Sequence, residues 1–106
     1  MAIQPPAEGT DRRLLLLHAD DNVLVTRAPI AAGETVLIGN AGVVLTRAFP
    51  IGHKLARRPI AAGEKVRKYG APIGTATSAI AMGEHVHVHN LASDYTASIS
   101  LQGAAP

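Results

Sequence analysis

The chain has no cysteine and no tryptophan, and aromatic residues make up only 3% of it. Without thiols there is no disulfide framework, no thiolate metal site and no cysteine nucleophile, which fits a reducing compartment. One Phe and two Tyr leave almost nothing to stack on bases, so a nucleic-acid partner is disfavoured. Long apolar runs are missing too. Leu14-Leu15-Leu16-Leu17 falls far short of the roughly 20 residues that cross a bilayer. Met1 to Thr10 contains Pro and Gly and no apolar segment, so no signal peptide is read there. These absences predict a cytoplasmic protein with no membrane partner. Charge is also modest, at a formal +2. Lys and Arg do gather between Arg47 and Lys68, as a solvated face or a patch for an anionic small molecule.

What is present is aliphatic. The 106 residues are 47% hydrophobic, with ten Gly and seven Pro. That suits one domain of short, closely packed strands joined by many turns. One phrase recurs three times, as Ile30-Ala-Ala-Gly33-Glu34-Thr-Val36, Ile60-Ala-Ala-Gly63-Glu64-Lys-Val66 and Ile80-Ala-Met-Gly83-Glu84-His-Val86. In each copy an Ile enters the core, Gly makes a turn and Val returns to the core face. A Glu repeated at the same turn position predicts a structural role, its carboxylate bonding turn amides.

Around these turns we expect strands at Arg13–His18, Val23–Arg27, Thr35–Ile38, Val43–Thr46, Lys65–Tyr69 and Ile73–Thr77. His53–Arg57 reads as a strand or a short helical turn. Gly39-Asn40-Ala41-Gly42 reads as a tight reversal, and Asp20, Asp21 and Asn22 as turn residues bonding their own downstream backbone. No stretch suits a long amphipathic helix, so the class is all-β. Residues 1–11 read as a disordered leader, 12–91 as the domain and 92–106 as a tail.

Candidate chemistry concentrates in Glu84-His85-Val86-His87-Val88-His89-Asn90. On a strand the three imidazoles share one face and the two valines the other. Such a row suits a divalent metal, proton transfer or a carboxylate, and equally suits a merely polar face. The small residues of Ile73-Gly74-Thr75-Ala76 suggest close approach by a neighbour or a ligand. Gly52 before His53-Lys54 allows a similar approach, with Lys54 offering positive charge.

From Pro50 to Asn90 the run Ile51-Gly52-His53-Lys54-Leu55-Ala56, the second Gly-Glu turn, Lys68-Tyr69-Gly70, Ile73-Gly74-x-Ala76 and the histidine segment resembles the small SAF-type domain of the altronate/galactarate dehydratase family. Asp21-Asn22-Val23 and the first Gly-Glu turn extend the resemblance to roughly residues 18–91. It implies a β-clip fold. It implies elimination of water from a sugar acid such as altronate or galactarate to give a 2-keto-3-deoxy acid, with a divalent metal, commonly iron(II). A related lyase removes sulfite from sulfolactate. In this family the SAF domain is either fused to a larger chain or a separate small subunit, which implies a large dehydratase-family partner, with homo-oligomerisation open. By position the resemblance implies catalytic His53, His87 and His89, substrate-binding Lys54, Tyr69, Gly74 and Asn90, and metal ligands His85, His87 and His89. The competing expectation is a non-catalytic SAF module that binds a sugar acid or a protein.

Overall fold

Gly and Pro recur every few residues and keep each strand short. The computed structural model describes residues 9–93, and among these there is no helix. The strands are β1 (Leu14–Leu15), β2 (Val23–Thr26), β3 (Thr35–Ile38), β4 (Ala41–Val44), β5 (Lys54–Ala56), β6 (Lys65–Lys68), β7 (Ala71–Ala76), β8 (His85–Val86) and β9 (Leu91–Ala92). All pair antiparallel. They form a sheet of order β1-β2-β5-β8, the hairpin β3-β4, and a sheet of order β6-β7-β9. The all-β expectation holds.

Alternation along β2 and β5 explains the layering. Leu24 and Leu55 enter one core with Leu14, Ile30, Val36, Ile38, Leu45 and Phe49. Their neighbours Val23 and Ala56 enter a second core with Ile60, Val66, Ala76, Ile80 and Val86. The first sheet therefore feeds a core on each face, as period-2 strands buried on both sides do. The β3-β4 hairpin covers one core and β6-β7 the other. Both hairpins turn through two residues of positive φ, Gly39 (55°) with Asn40 (72°) and Tyr69 (58°) with Gly70 (76°). That geometry matches the strand twist. Left-handed backbone at Tyr69 is uphill for a side chain of that size. The buried Asp21 carboxylate holds it in place by accepting from the Tyr69 and Gly70 amides at 3.0 and 2.7 Å.

The turn seen three times in the sequence occurs four times among the described residues. Ile30, Phe49, Ile60 and Ile80 each form an isolated bridge, Ile30 with Phe49 and Ile60 with Ile80. Each is followed by a turn whose glycine, Gly33, Gly52, Gly63 or Gly83, has φ of 84–86°. The four glycine amides donate to Leu45, Thr26, Ala76 and Ala56, and the residue after each glycine accepts from the same partner's amide. Phe49-Pro50-Ile51-Gly52-His53 is thus the fourth copy, with His53 where the others carry Glu. The expected structural role of Glu34, Glu64 and Glu84 holds. Each carboxylate accepts from the amide three residues back, all at 2.9 Å.

Several expectations are corrected. The first strand is only Leu14–Leu15, and Lys65–Tyr69 ends at Lys68 because Tyr69 turns. His53–Arg57 is strand rather than helical turn, at Lys54–Ala56. Asp21 and Asn22 bond the distant β6-β7 hairpin rather than their own neighbours. Within the proposed leader, Asp11 donates to the Leu37 carbonyl and pairs with Arg13. Ala92, assigned to the tail, pairs with Thr75. The rest of the leader and tail lies outside the described residues.

Candidate functional site

Register decides which histidines meet. His85 pairs with Leu55 across β5-β8, and opposite residues in an antiparallel pair share a face. His53 lies two residues before Leu55, so it joins His85 on the face of the first core. Phe49 meets the His85 ring edge-on at 5.3 Å and 83°. His85 is only 6% exposed, and its two nitrogens are taken. Arg47 Nη1 lies 2.9 Å from Nδ1, and His53 Nδ1 lies 3.0 Å from Nε2. The His53 and His85 centroids are 5.2 Å apart at 21°. With their nitrogens 3.0 Å apart, the rings meet edge to edge along the bond rather than face to face. Burial, the Arg47 charge and the neighbouring imidazoles push His85 down to about 4.

His87 and His89 arrive by a different route from the one expected. β8 stops at Val86, and residues 87–90 form a turn, so the row of alternating imidazoles is corrected. Val88 is 80% exposed rather than facing a core. The buried Asn90 side chain makes this turn. Its Nδ2 donates to the His85 carbonyl at 2.8 Å, and its Oδ1 accepts from the His87 amide at 3.0 Å. The turn folds both exposed rings back beside His85, at centroid distances of 5.3 Å for His87 and 5.6 Å for His89. His53 and His87 are 6.0 Å apart. Four imidazoles from two segments therefore cluster, three reaching the surface around one buried ring.

The other expected site residues separate from this cluster. Lys54 pairs with Val25 and Val86, so it leaves β5 on the opposite face from His53. There it is half-buried, and desolvation together with the Lys68 charge lowers its pKa. Tyr69 sits at the tip of the β6-β7 hairpin, 68% exposed, with the Lys68 ammonium 5.6 Å from its ring centroid. Asn90, expected at the substrate, is buried and clamps the turn through its bonds to His85 and His87. At Gly74 a Cβ would lie 2.5 Å from the Ala92 carbonyl oxygen, so β9 is a close neighbour there. Arg47 was missed as a site residue. It was visible only as part of a basic run, 38 residues from His85.

The expected metal triad does not fit this geometry. His85 has no nitrogen to spare, and the guanidinium beside Nδ1 opposes a second cation there. Among the described residues no three His, Asp or Glu side chains are arranged to hold a metal ion. The His87 and His89 rings make ring contacts but no hydrogen bonds among the described residues, so they are the imidazoles available to a ligand.

Comparison with known proteins places this cluster in a recognisable region. Residues 12–94 match the family model of the altronate/galactarate dehydratase SAF domain. The chain is 49% identical over 74 residues to altronate dehydratase of Escherichia coli K12, covering 70% of this chain and 15% of that protein. It is 35% identical over 79 residues to altronate dehydratase of Bacillus subtilis, covering 74% of this chain and 16% of that protein. It is also 57% identical over 44 residues to subunit alpha of (2R)-sulfolactate sulfo-lyase from Chromohalobacter salexigens, covering 42% of this chain and 47% of that one. The chain thus spans less than a fifth of the altronate dehydratases it matches and about half of that sulfo-lyase subunit.

Proposed function

Since this chain belongs to the altronate/galactarate dehydratase SAF-domain family, we propose that it is the small part of a lyase that acts together with a larger dehydratase-family partner. The reaction removes water from a 2,3-dihydroxy sugar acid. A proton leaves the carbon next to the carboxylate, the hydroxyl leaves the next carbon with a proton, and the resulting enol becomes the 2-keto-3-deoxy acid. Such an elimination needs a base, an acid for the leaving group and positive charge near the enediolate. The observation that carries the proposal is the gathering of His53, His87 and His89 around buried His85 inside the matched region. An imidazole is a side chain that can give or take the proton such an elimination moves. The iron(II) of the resemblance is not assigned to this chain's histidines. The likeness to a sulfo-lyase subunit alpha makes sulfite the alternative leaving group.

The test is co-expression with the dehydratase-like large subunit encoded nearest, purification through a tag on this chain, and assay of 2-keto-acid formation. The panel holds altronate, galactarate and sulfolactate, with iron(II) added. His87 and His89 are exposed, so His87→Ala and His89→Ala leave the fold intact. At least one of them is expected to lower turnover by about 100-fold or more. A stable complex that keeps full activity in both variants makes the chain a binding module instead.

A further inference from the structure

The hydrogen bonds between Arg47, His85 and His53 have a direction that chemistry fixes. A guanidinium only donates, so His85 Nδ1, 2.9 Å from Arg47 Nη1, accepts through its lone pair. A neutral His85 then carries its proton on Nε2. That N–H points at His53 Nδ1, 3.0 Å away, which must accept in turn. His53 is left with its proton on Nε2, the nitrogen away from the buried ring. We infer that Arg47 is a positioning residue that sets the tautomers of both histidines, so that His53 offers the ligand an N–H donor and not a lone pair.

Three features support this direction over its reverse. Arg47 is held by its own surroundings, its Nε donating to the Ala48 carbonyl at 3.1 Å and its Cζ lying 5.8 Å from the Phe49 ring centroid. His85 is buried, so water does not compete for its nitrogens. The His53 backbone is fastened on both sides by Thr26, whose amide donates to the His53 carbonyl and whose Oγ1 accepts from the His53 amide. Within the lyase reading, on which the ligand assignment rests, His53 binds an oxygen acceptor of the substrate, a carboxylate or hydroxyl oxygen. Abstraction of the proton falls to another group. The surface around His53 thereby selects acceptor-rich anions and rejects ligands that offer only donors.

The test reads the tautomers directly on the full chain, by long-range ¹H–¹⁵N spectra of the imidazoles at a pH of about 8. Both His53 and His85 are expected to show a protonated Nε2 and a bare Nδ1. Arg47→Met removes the donor and is expected to convert His85, and with it His53, to a mixture of tautomers. Arg47→Lys, also a pure donor, is expected to restore the parent pattern. A parent spectrum with His53 protonated at Nδ1 overturns the inference, even if Arg47→Met fails to fold. An unchanged pattern in a folded Arg47→Met protein overturns it as well. None of these readouts involves turnover, so a failure here is separable from a failure of the lyase reading.

Discussion

Three of the four repeated turns carry Glu after the glycine, and the fourth carries His53. The difference follows from one residue. In the Gly-Glu turns, the position three before the Glu is Ala31, Ala61 or Ala81, and its amide is taken by the carboxylate. In the fourth turn that position is Pro50, which has no N–H to offer. A carboxylate there would have nothing to cap, so the position is released from structural duty and holds an imidazole. The backbone closes differently too. The Glu64 and Glu84 amides donate directly to the carbonyls of Ala61 and Ala81. At His53 the Thr26 hydroxyl is inserted instead, accepting from the His53 amide at 3.0 Å and donating to the Pro50 carbonyl at 2.7 Å. One scaffold thus serves as a staple three times and as a mount for an imidazole once.

Removing the inserted hydroxyl tests this difference most severely. Thr26 is buried at 1% exposure, and Thr26→Val keeps its shape while leaving an amide and a carbonyl without their partner. The expected cost is about 2–3 kcal/mol, read from urea unfolding. The His53–His85 bond is expected to weaken as the turn tightens. An unfolding midpoint equal to the parent's would show that the hydroxyl does not bridge.

Acid separates the two kinds of turn next. His85, behind the Gly-His turn, titrates near 4 instead of 6.5, so between those values the unfolded chain binds a proton that the folded chain refuses. Stability therefore falls as pH drops through that window, by about 1–2 kcal/mol between pH 6.5 and 5. Glu64 behaves differently. Its hydrogen bond from Arg58 and the Ala61 amide hold its carboxyl below 4.5, so its contribution is intact above that value and is lost only as pH falls further. His85→Asn is expected to flatten the upper limb of a urea-midpoint profile and leave the lower limb in place. A parent profile flat from pH 7 to 5 would contradict this.

The same contrast explains what the sequence could and could not reveal. The all-β class, the short strands and the capping role of the three glutamates were legible because glycine, proline and period-2 alternation act locally. The fourth turn was hidden, because Phe49 replaces Ile and His53 replaces Glu, leaving Gly52 as the main shared mark. The histidine row misled for a physical reason. Alternating His and Val is strand-like, yet Asn90 captures the His85 carbonyl and the His87 amide and ends the strand at Val86. Clustering of the imidazoles was legible, but its cause is a turn. Lys54 parted from His53 because adjacent strand residues take opposite faces, a rule that needed the strand to be known first. Arg47 and Asp21 act on partners far along the chain, where local pattern carries no signal.

The smallest expected effect is the most discriminating. If Pro50 is what releases the position after Gly52, Pro50→Ala and His53→Glu should be coupled. Alone, His53→Glu places a carboxylate with no amide to accept from, and it also forfeits the bond to His85. Alone, Pro50→Ala loosens the unfolded chain and gains nothing in the turn. Together they recreate the donor and acceptor that sit 2.9 Å apart in each Gly-Glu turn. A double-mutant cycle subtracts the separate costs and is expected to leave a favourable coupling of about 0.5–1 kcal/mol, in a protein that folds but has lost the His53 ring. A coupling of zero would mean that proline at position 50 and histidine at 53 are independent, and that the fourth turn differs from the other three for some reason other than the missing N–H.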